Sequence, residues 1–252
     1  MASDARLSVI IPAYNEELRL PGTLRQVGAF LAAQPYESEV LVVDDGSMDG
    51  TAPAVRSCTA VAALRLIQHP DRGNHGKGAS VRRGMIEARG AFRLFMDADN
   101  STTIDQIAAL WPWFEQGYDI TIGSRKAPGA RVEVHQAWYK ELAGRFGNLV
   151  IRALAVPGIE DTQAGFKMFT GRAAAAVFPR QTIDRWGSDI ETLAVARLLG
   201  FRIREVPIVW VNAPGSKVKL SAYLQVLREV WRIRRNVRSG FYLRSQVFSL
   251  RG

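Results

Sequence analysis

FRLFMDADNS, residues 92–101, runs an apolar stretch straight into two aspartates, Asp97 and Asp99, one residue apart. A buried strand that ends on charge delivers that charge to a sheet edge, and in open α/β sheets ligands bind beyond the carboxyl ends of the strands. The construction recurs. LSVII (7–11) is followed by PAYNEE, EVLVV (39–43) by DDGSMDGT and DITIG (119–123) by SRKAPGAR, while LRLIQ (64–68) is a further short run. These runs are mostly apolar without strict alternation, as expected of strands covered on both faces. Helical patterns lie between them. Leu20, Leu24, Val27 and Leu31 share one helix face after Pro21-Gly22, and GASVRRGMIEARG reads as a helix closed by Gly90. The alternation predicts an α/β fold, a doubly wound and mainly parallel central sheet with helices on both faces.

The 252 residues are 47% hydrophobic, enough for a substantial core and too apolar for a disordered chain. The single cysteine, Cys58, excludes an internal disulfide framework and suits a reducing, cytoplasmic compartment. MASDARLSVII carries acid before a five-residue apolar run, which makes a poor signal peptide. No stretch reaches the length of a membrane span, since even NLVIRALAVPGI is interrupted by Arg152 and Pro157. The formal charge of +9 is concentrated: from residue 219 onward there are eight basic residues and one acid, a net +7. Residues 1–218 therefore read as a near-neutral body and 219–252 as a basic C-terminal helix and tail. Apolar residues at 220, 223, 224, 227, 230 and 231, widened by 226, 233 and 237, share one face, with Arg228, Arg232 and Arg235 opposite. Such a helix fits the cytoplasmic face of a membrane as a peripheral anchor, or packs on the body with its arginines solvated, and both can hold together. A nucleic-acid-binding role for the tail leaves the strand-end motifs unexplained, so no nucleic acid partner is expected.

In an extended segment, residues i and i+2 point to one side, so Asp97 and Asp99 would face a common point and repel unless a cation lies between them. Mg²⁺ or Mn²⁺, which prefer oxygen ligands and bridge carboxylates to phosphates, fits that position. An isolated D-x-D is more often a solvated turn, with Asp99 capping STTIDQI, and only the companion loops favour the metal. Two other phosphate motifs fail. DRGNHGKGAS has Asp71 and Gly78 where a Walker loop needs Gly and Ser or Thr, and PAYNEE lacks the glycines of a dinucleotide fingerprint. Lys77 in this glycine loop is free to approach a diphosphate.

Together VIIPAYNEE, VLVVDDGSMDGT, FMDADN and IGSR resemble the family 2 glycosyltransferases over roughly residues 7–215. The resemblance implies the nucleotide-sugar-binding, glycosyltransferase A-type fold. It also implies a nucleotide-sugar site at Pro12, Ala13, Tyr14, Glu16, Asp44, Gly46, Lys77, Asp97, Ala98 and Asp99, with a metal on Asp97 and Asp99. DTQAGFKMF (161–169), RWGSDIE (185–191), VPIVW (206–210) and APGSK (213–217) are similar to the branch that uses polyprenyl phosphates, closer to its glucose-transferring members. What this implies is inverting transfer of a hexose, glucose from UDP-glucose in preference, to a polyprenyl or dolichyl phosphate. The alternatives are a GDP-mannose donor, or the same fold acting on a non-phosphate acceptor. Ser101, where mannose enzymes of the branch often have Gln, leans away from mannose. Candidates for the acceptor phosphate are Arg125, Arg131, Lys140, Lys167 and Lys217, and Asp161 and Asp189 are candidates to touch sugar hydroxyls or assist a proton. Read without the resemblance, AGFKMF is a strand with Lys167 outward, and SDIETLAVARLLG a helix capped by Ser188.

Overall fold

The structure, a computed structural model, describes residues 5–132, 151, 154–211 and 220–244. Among the described residues seven strands form the central sheet: β1 (Leu7–Ala13), β2 (Ser38–Asp44), β3 (Leu64–Gln68), β4 (Phe92–Met96), β5 (Ile120–Ser124), β7 (Phe166–Thr170) and β8 (Ile203–Pro207). Their order is β3-β2-β1-β4-β7-β5-β8, and β6 (Arg131–Val132) and β9 (Val209–Trp210) make a small parallel pair beside it. All neighbours in the large sheet are parallel except β7, which is antiparallel to both β4 and β5. The mainly parallel expectation holds, with one interior strand reversed.

Alternation along each strand sends side chains to opposite faces. Leu7, Val9 and Ile11 join Val40, Val42, Leu94 and Met96 under helix α1 (Leu20–Ala32) and the 3-10 segment Ile104–Ala109. Ile10, Leu41, Val43, Phe95 and Phe169 face the other way, toward α3 (Lys77–Glu87), α5 (Gly171–Val177) and α6 (Ser188–Leu198). Short helices α2 (Thr51–Arg56) and α4 (Trp111–Glu115) lie in the connections from β2 to β3 and from β4 to β5.

Three local expectations change. Lys167 is not outward: β7 is an interior strand covered on both faces, and the side chain is 0% exposed. Ser188 is the first residue of α6, not its cap. The cap position is Gly187, whose N–H donates to Glu229 (2.8 Å). Third, Trp231 does not belong to the buried face of α7 (Leu220–Arg238). That face is Val226, Val230 and Ile233, packed with Ile190, Leu193 and Ala194 of α6, whereas Trp231 is 64% exposed beside Arg228, Arg232 and Arg235. Beyond α7, a turn of helix α8 (Phe241–Arg244) buries Tyr242, whose hydroxyl donates to Glu191 (2.7 Å). The helix of the basic tail is thus docked into the core. The expected boundary between 218 and 219 lies outside the described residues, as do Lys140 and Lys217. Among the described residues no helix is long and apolar enough to cross a membrane.

Helix α3 approaches the sheet through Gly84, where a Cβ would stand 2.4 Å from Ile10 Cγ2 and 3.0 Å from Val43 Cγ2. Gly84→Ala is expected to destabilise by about 1–3 kcal/mol through overpacking, outweighing the ~1 kcal/mol that alanine gains over glycine in a helix. Chemical denaturation checks this; unchanged stability would mean that α3 can retreat from β1.

Candidate active site

The carboxyl ends of β1 and β2 are bound to each other before anything else is added. Ala13 pairs with Asp44, and the Asp45 N–H donates to Ala13 O (2.8 Å). The following loops interlock: Asn15 N–H donates to Ser47 Oγ (2.9 Å), Met48 N–H to Asn15 Oδ1 (3.0 Å) and Glu16 N–H to Thr51 Oγ1 (2.8 Å). Glu16 receives both Nε and Nη2 of Arg19 at 2.6 Å. Pro12 is half-buried, Ala13 buried and Tyr14 exposed at the mouth of these loops. Asp44 is buried and accepts from Ser47 N–H (3.0 Å) and Gln68 Nε2 (2.8 Å), which leaves it lone pairs for a further N–H. Gly46 takes φ of +75°, a left-handed turn at which a Cβ would stand 2.6 Å from Arg72 O.

The next aspartate, Asp45, was not singled out in the sequence. Its buried carboxylate accepts the N–H groups of His75 (2.9 Å) and Gly76 (2.8 Å), with His69 Nε2 at 3.5 Å. Burial raises its pKa, but these bonds together lower it, so Asp45 stays charged and pins the loop that starts α3. That loop delivers Lys77, the first residue of α3, into the cleft with its ammonium 2.5 Å from Asp97 Oδ1. Burial opposes the Lys77 charge; Asp97, Asp189 and Asp99 outweigh it and raise its pKa.

Asp97 and Asp99 follow β4 in a turn rather than an extended segment. Asp99 Oδ1 accepts the Ser101 N–H (3.0 Å), so the cap expected of a plain turn is present. The turn is held by Thr23, whose hydroxyl donates to the carbonyl of the buried Ala98 (2.7 Å). The Asp97 carboxylate lies on Gly165: a Cβ there would come within 1.8 Å of Oδ2, and the Asp97 N–H donates to Gly165 O (3.2 Å). Only glycine leaves room for this carboxylate. A hard divalent cation fits the donor set. Both groups are carboxylates near the surface, one already draws a cation, and among the described residues no third His, Cys, Asp or Glu joins them, which leaves positions for phosphate oxygens and water.

On the other side Arg125, directly after β5, is gripped by Asp161. The carboxylate accepts Arg125 N–H (2.9 Å), Nε (2.8 Å) and Nη2 (2.7 Å) and is 1% exposed. Burial raises the Asp161 pKa, but the Arg125 bond and charge lower it further, so this aspartate is a poor proton acceptor. The expectation that Asp161 touches a sugar hydroxyl or assists a proton is corrected: its oxygens are consumed in aiming Arg125. Burial works against the Arg125 charge too, and the Asp161 bond, then the charges of Asp161, Asp97 and Asp189, hold its pKa above the ordinary value. Arg125 also lies over the Trp210 ring (5.4 Å).

Lys167 as a ligand of the acceptor phosphate is likewise overturned. Its buried ammonium donates to Ala164 O (2.6 Å) and Asp189 Oδ1 (2.6 Å) over the Phe95 ring (5.1 Å). Burial lowers the Lys167 pKa, and the favourable charge of Asp189 does not fully offset it. Asp189, in the first turn of α6, is thereby oriented with its second oxygen uncommitted to Lys167. Arg131 is exposed on β6, its N–H donating to Ile208 O (3.0 Å). Asp97, Asp99, Asp189, Lys77, Arg125 and, through Arg125, Asp161 thus form one mutually charged cluster. Asp45 and Gly165 are not among the residues singled out from the sequence; for Asp45 the doubled aspartate after a strand is the available signal.

The model for glycosyl transferase family 2 matches residues 8–169. The dolichyl-phosphate beta-glucosyltransferase of Drosophila melanogaster is 36% identical over 247 residues, covering 90% of this chain and 74% of its own. Its counterpart from Mus musculus is 33% identical over 261 residues, covering 96% of this chain and 79% of its own. Among solved structures, mannosyl-3-phosphoglycerate synthase from Rubrobacter xylanophilus is similar with a TM-score of 0.68 at 20% identity, over 98% of this chain and 79% of that one. Glucosyl-3-phosphoglycerate synthase from Mycobacterium tuberculosis, in complex with Mg²⁺ and uridine diphosphate, gives 0.64 at 16% identity, over 92% and 80%. At these identities the two structures establish the fold, the glycosyltransferase A type. With the strand-end motifs, the sheet order and the sequence match in agreement, the chain belongs to glycosyltransferase family 2.

Proposed function

We propose that this glycosyltransferase moves glucose from UDP-glucose to a polyprenyl or dolichyl phosphate with inversion at the anomeric carbon. One observation carries the reading: a carboxylate pair suited to a metal–diphosphate and an arginine locked by a buried aspartate share one cleft, as transfer to an anionic acceptor requires. The activity named for the relatives supports the choice of sugar and acceptor. A lipid monophosphate is largely ionised near neutral pH, so a strong general base is unnecessary. Its oxygen forms the new bond to C1 as the bond from C1 to the diphosphate breaks, and the electron pair leaves with the nucleotide. Arg125 holds the incoming phosphate in line, with Arg131, Lys140 and Lys217 as further acceptor-side cations. The nucleoside rests on Pro12, Ala13, Tyr14, Glu16, Asp44 and Gly46, and Lys77 reaches the diphosphate. Asp189 meets a sugar hydroxyl. Mg²⁺ or Mn²⁺ held by Asp97 and Asp99, when bound, supplies positive charge to the leaving diphosphate.

A lipid acceptor also calls for a surface that meets the bilayer. Residues 219–252 serve as that attachment, through the exposed face of α7 and α8: Trp231, Arg228, Arg232, Arg235, Arg238 and Leu243. An apolar ring among arginines suits the anionic cytoplasmic face of a membrane.

Labelled sugar should pass from UDP-glucose into an organic-extractable product when polyprenyl phosphate in detergent and Mg²⁺ or Mn²⁺ are supplied. Label from GDP-mannose alone would overturn the donor, and none from either would overturn the lipid acceptor. Asp99→Ala should lower kcat by about 10²- to 10³-fold. Gly165→Ala, which displaces the Asp97 carboxylate, should cost about 10²-fold and weaken Mn²⁺ binding by calorimetry in the presence of UDP; wild-type Mn²⁺ binding in both variants would remove the metal assignment. Trp231→Ala combined with Arg232→Ala should reduce sedimentation with anionic vesicles, roughly fivefold for the arginine alone. Unchanged sedimentation would remove the docking face.

A further inference from the structure

Glu205 of β8 lies outside every motif singled out in the sequence, yet its carboxylate holds the loop that carries Asp161. Oε2 accepts the Glu160 N–H (2.7 Å) and Oε1 accepts the Asp161 N–H (2.8 Å). A carboxylate spanning two consecutive backbone N–H groups fixes that peptide in position and direction, and charge assistance makes each bond stronger than a neutral one. Asp161 then spends both oxygens on three bonds to Arg125. The geometry closes on itself. Arg125 directly follows β5 and Glu205 lies on β8, and the two strands are paired in register, Ile122 opposite Glu205 and Ser124 opposite Pro207. The 160–161 peptide therefore hangs from the same pair of strands whose end bears the guanidinium it aims.

We propose that Glu205 is a positioning residue for transfer, setting the Arg125 guanidinium through the Asp161 backbone. The assignment of Arg125 to the acceptor phosphate rests on the function proposed above; the hold of Glu205 on Arg125 does not. The side chain must be a carboxylate of this length. Glutamine has one acceptor oxygen and turns its NH₂ against one of the two N–H groups, leaving that donor unpaired, while aspartate is one methylene short of spanning both.

Two measurements on the full chain test this. Hydrogen exchange should accelerate in Glu205→Gln both at residues 159–162 and at the Arg125 amide, which donates to Asp161. In the same variant kcat/KM for the lipid phosphate should fall by about 10- to 100-fold, with UDP–Mn²⁺ affinity unchanged because Glu205 holds the 160–161 peptide and not the loops after β1, β2 and β4 or Lys77, which carry the nucleotide and the metal. The loss should not add to that of Arg125→Ala, since both act through one guanidinium. Glu205→Asp should fall between glutamine and wild type, and it carries the test if the glutamine variant does not fold. Faster exchange confined to 159–162 with acceptor kinetics intact would overturn the proposal, as would additive losses. If wild type transfers nothing to a lipid phosphate, the function proposed above fails, and exchange at Arg125 still decides the role of Glu205.

Discussion

The reversal of β7 is the constraint on which the Arg125 side of the cleft depends. Running antiparallel between β4 and β5, β7 presents its entrance, not its exit, at the edge where its neighbours end: Met96 lies opposite Phe166. The segment before β7 is therefore drawn into the cleft. It brings Asp161 to Arg125, Ala164 to Lys167 and Gly165 to Asp97. With β7 parallel, those residues would lie at the opposite end of the sheet, some 16 Å away for a five-residue strand at about 3.3 Å per residue.

The cluster thus assembled is a balance of charges, few of which stand fully in water. Taking ions out of solvent costs several kcal/mol each unless partners replace the water. Here each buried charge has one. Asp45 has two backbone N–H groups, Asp161 has the Arg125 fork and Lys167 has Asp189 and a carbonyl. Such pairing fixes geometry more than it adds stability. That suits the reaction proposed above, in which the nucleophile is already ionised and alignment of two phosphates across one anomeric carbon is what remains for the protein to do.

The C-terminal helix connects this centre to the outside. Its inner face is continuous with α6: Glu229 caps Gly187, two residues before Asp189, and Glu191 gathers Thr182, Ile183 and Tyr242. Burial first, and then Glu191, raise the Tyr242 pKa, so the phenol stays a hydrogen-bond donor to that carboxylate. The helix that shows Trp231 and its arginines to the surroundings is thereby braced on the helix that carries Asp189 into the cleft.

The sequence by itself determined the parallel strands, the helices between them and the loops that follow β1, β2, β4 and β5. Apolar runs and the polar residues ending them are local signals, and a parallel sheet turns each strand end into a position at one edge. Pro12 to Glu16, Asp44, Asp97, Asp99 and Arg125 were legible for that reason. Only the tertiary structure decided what surrounds them. The direction of β7 depends on its partners, and nothing within AGFKMF distinguishes an interior reversed strand from an outer one, so Lys167 read as solvated and proved buried. Asp161 read as a candidate to touch a sugar hydroxyl or assist a proton because its sequence neighbours are silent about Arg125, 36 residues away. Trp231 read as part of one apolar face with Val230 because a helical wheel places apolar residues by angle alone, whereas α6 meets only the stripe through Val226, Val230 and Ile233. What each of these side chains touches is decided by long-range contacts, and a linear pattern does not contain them.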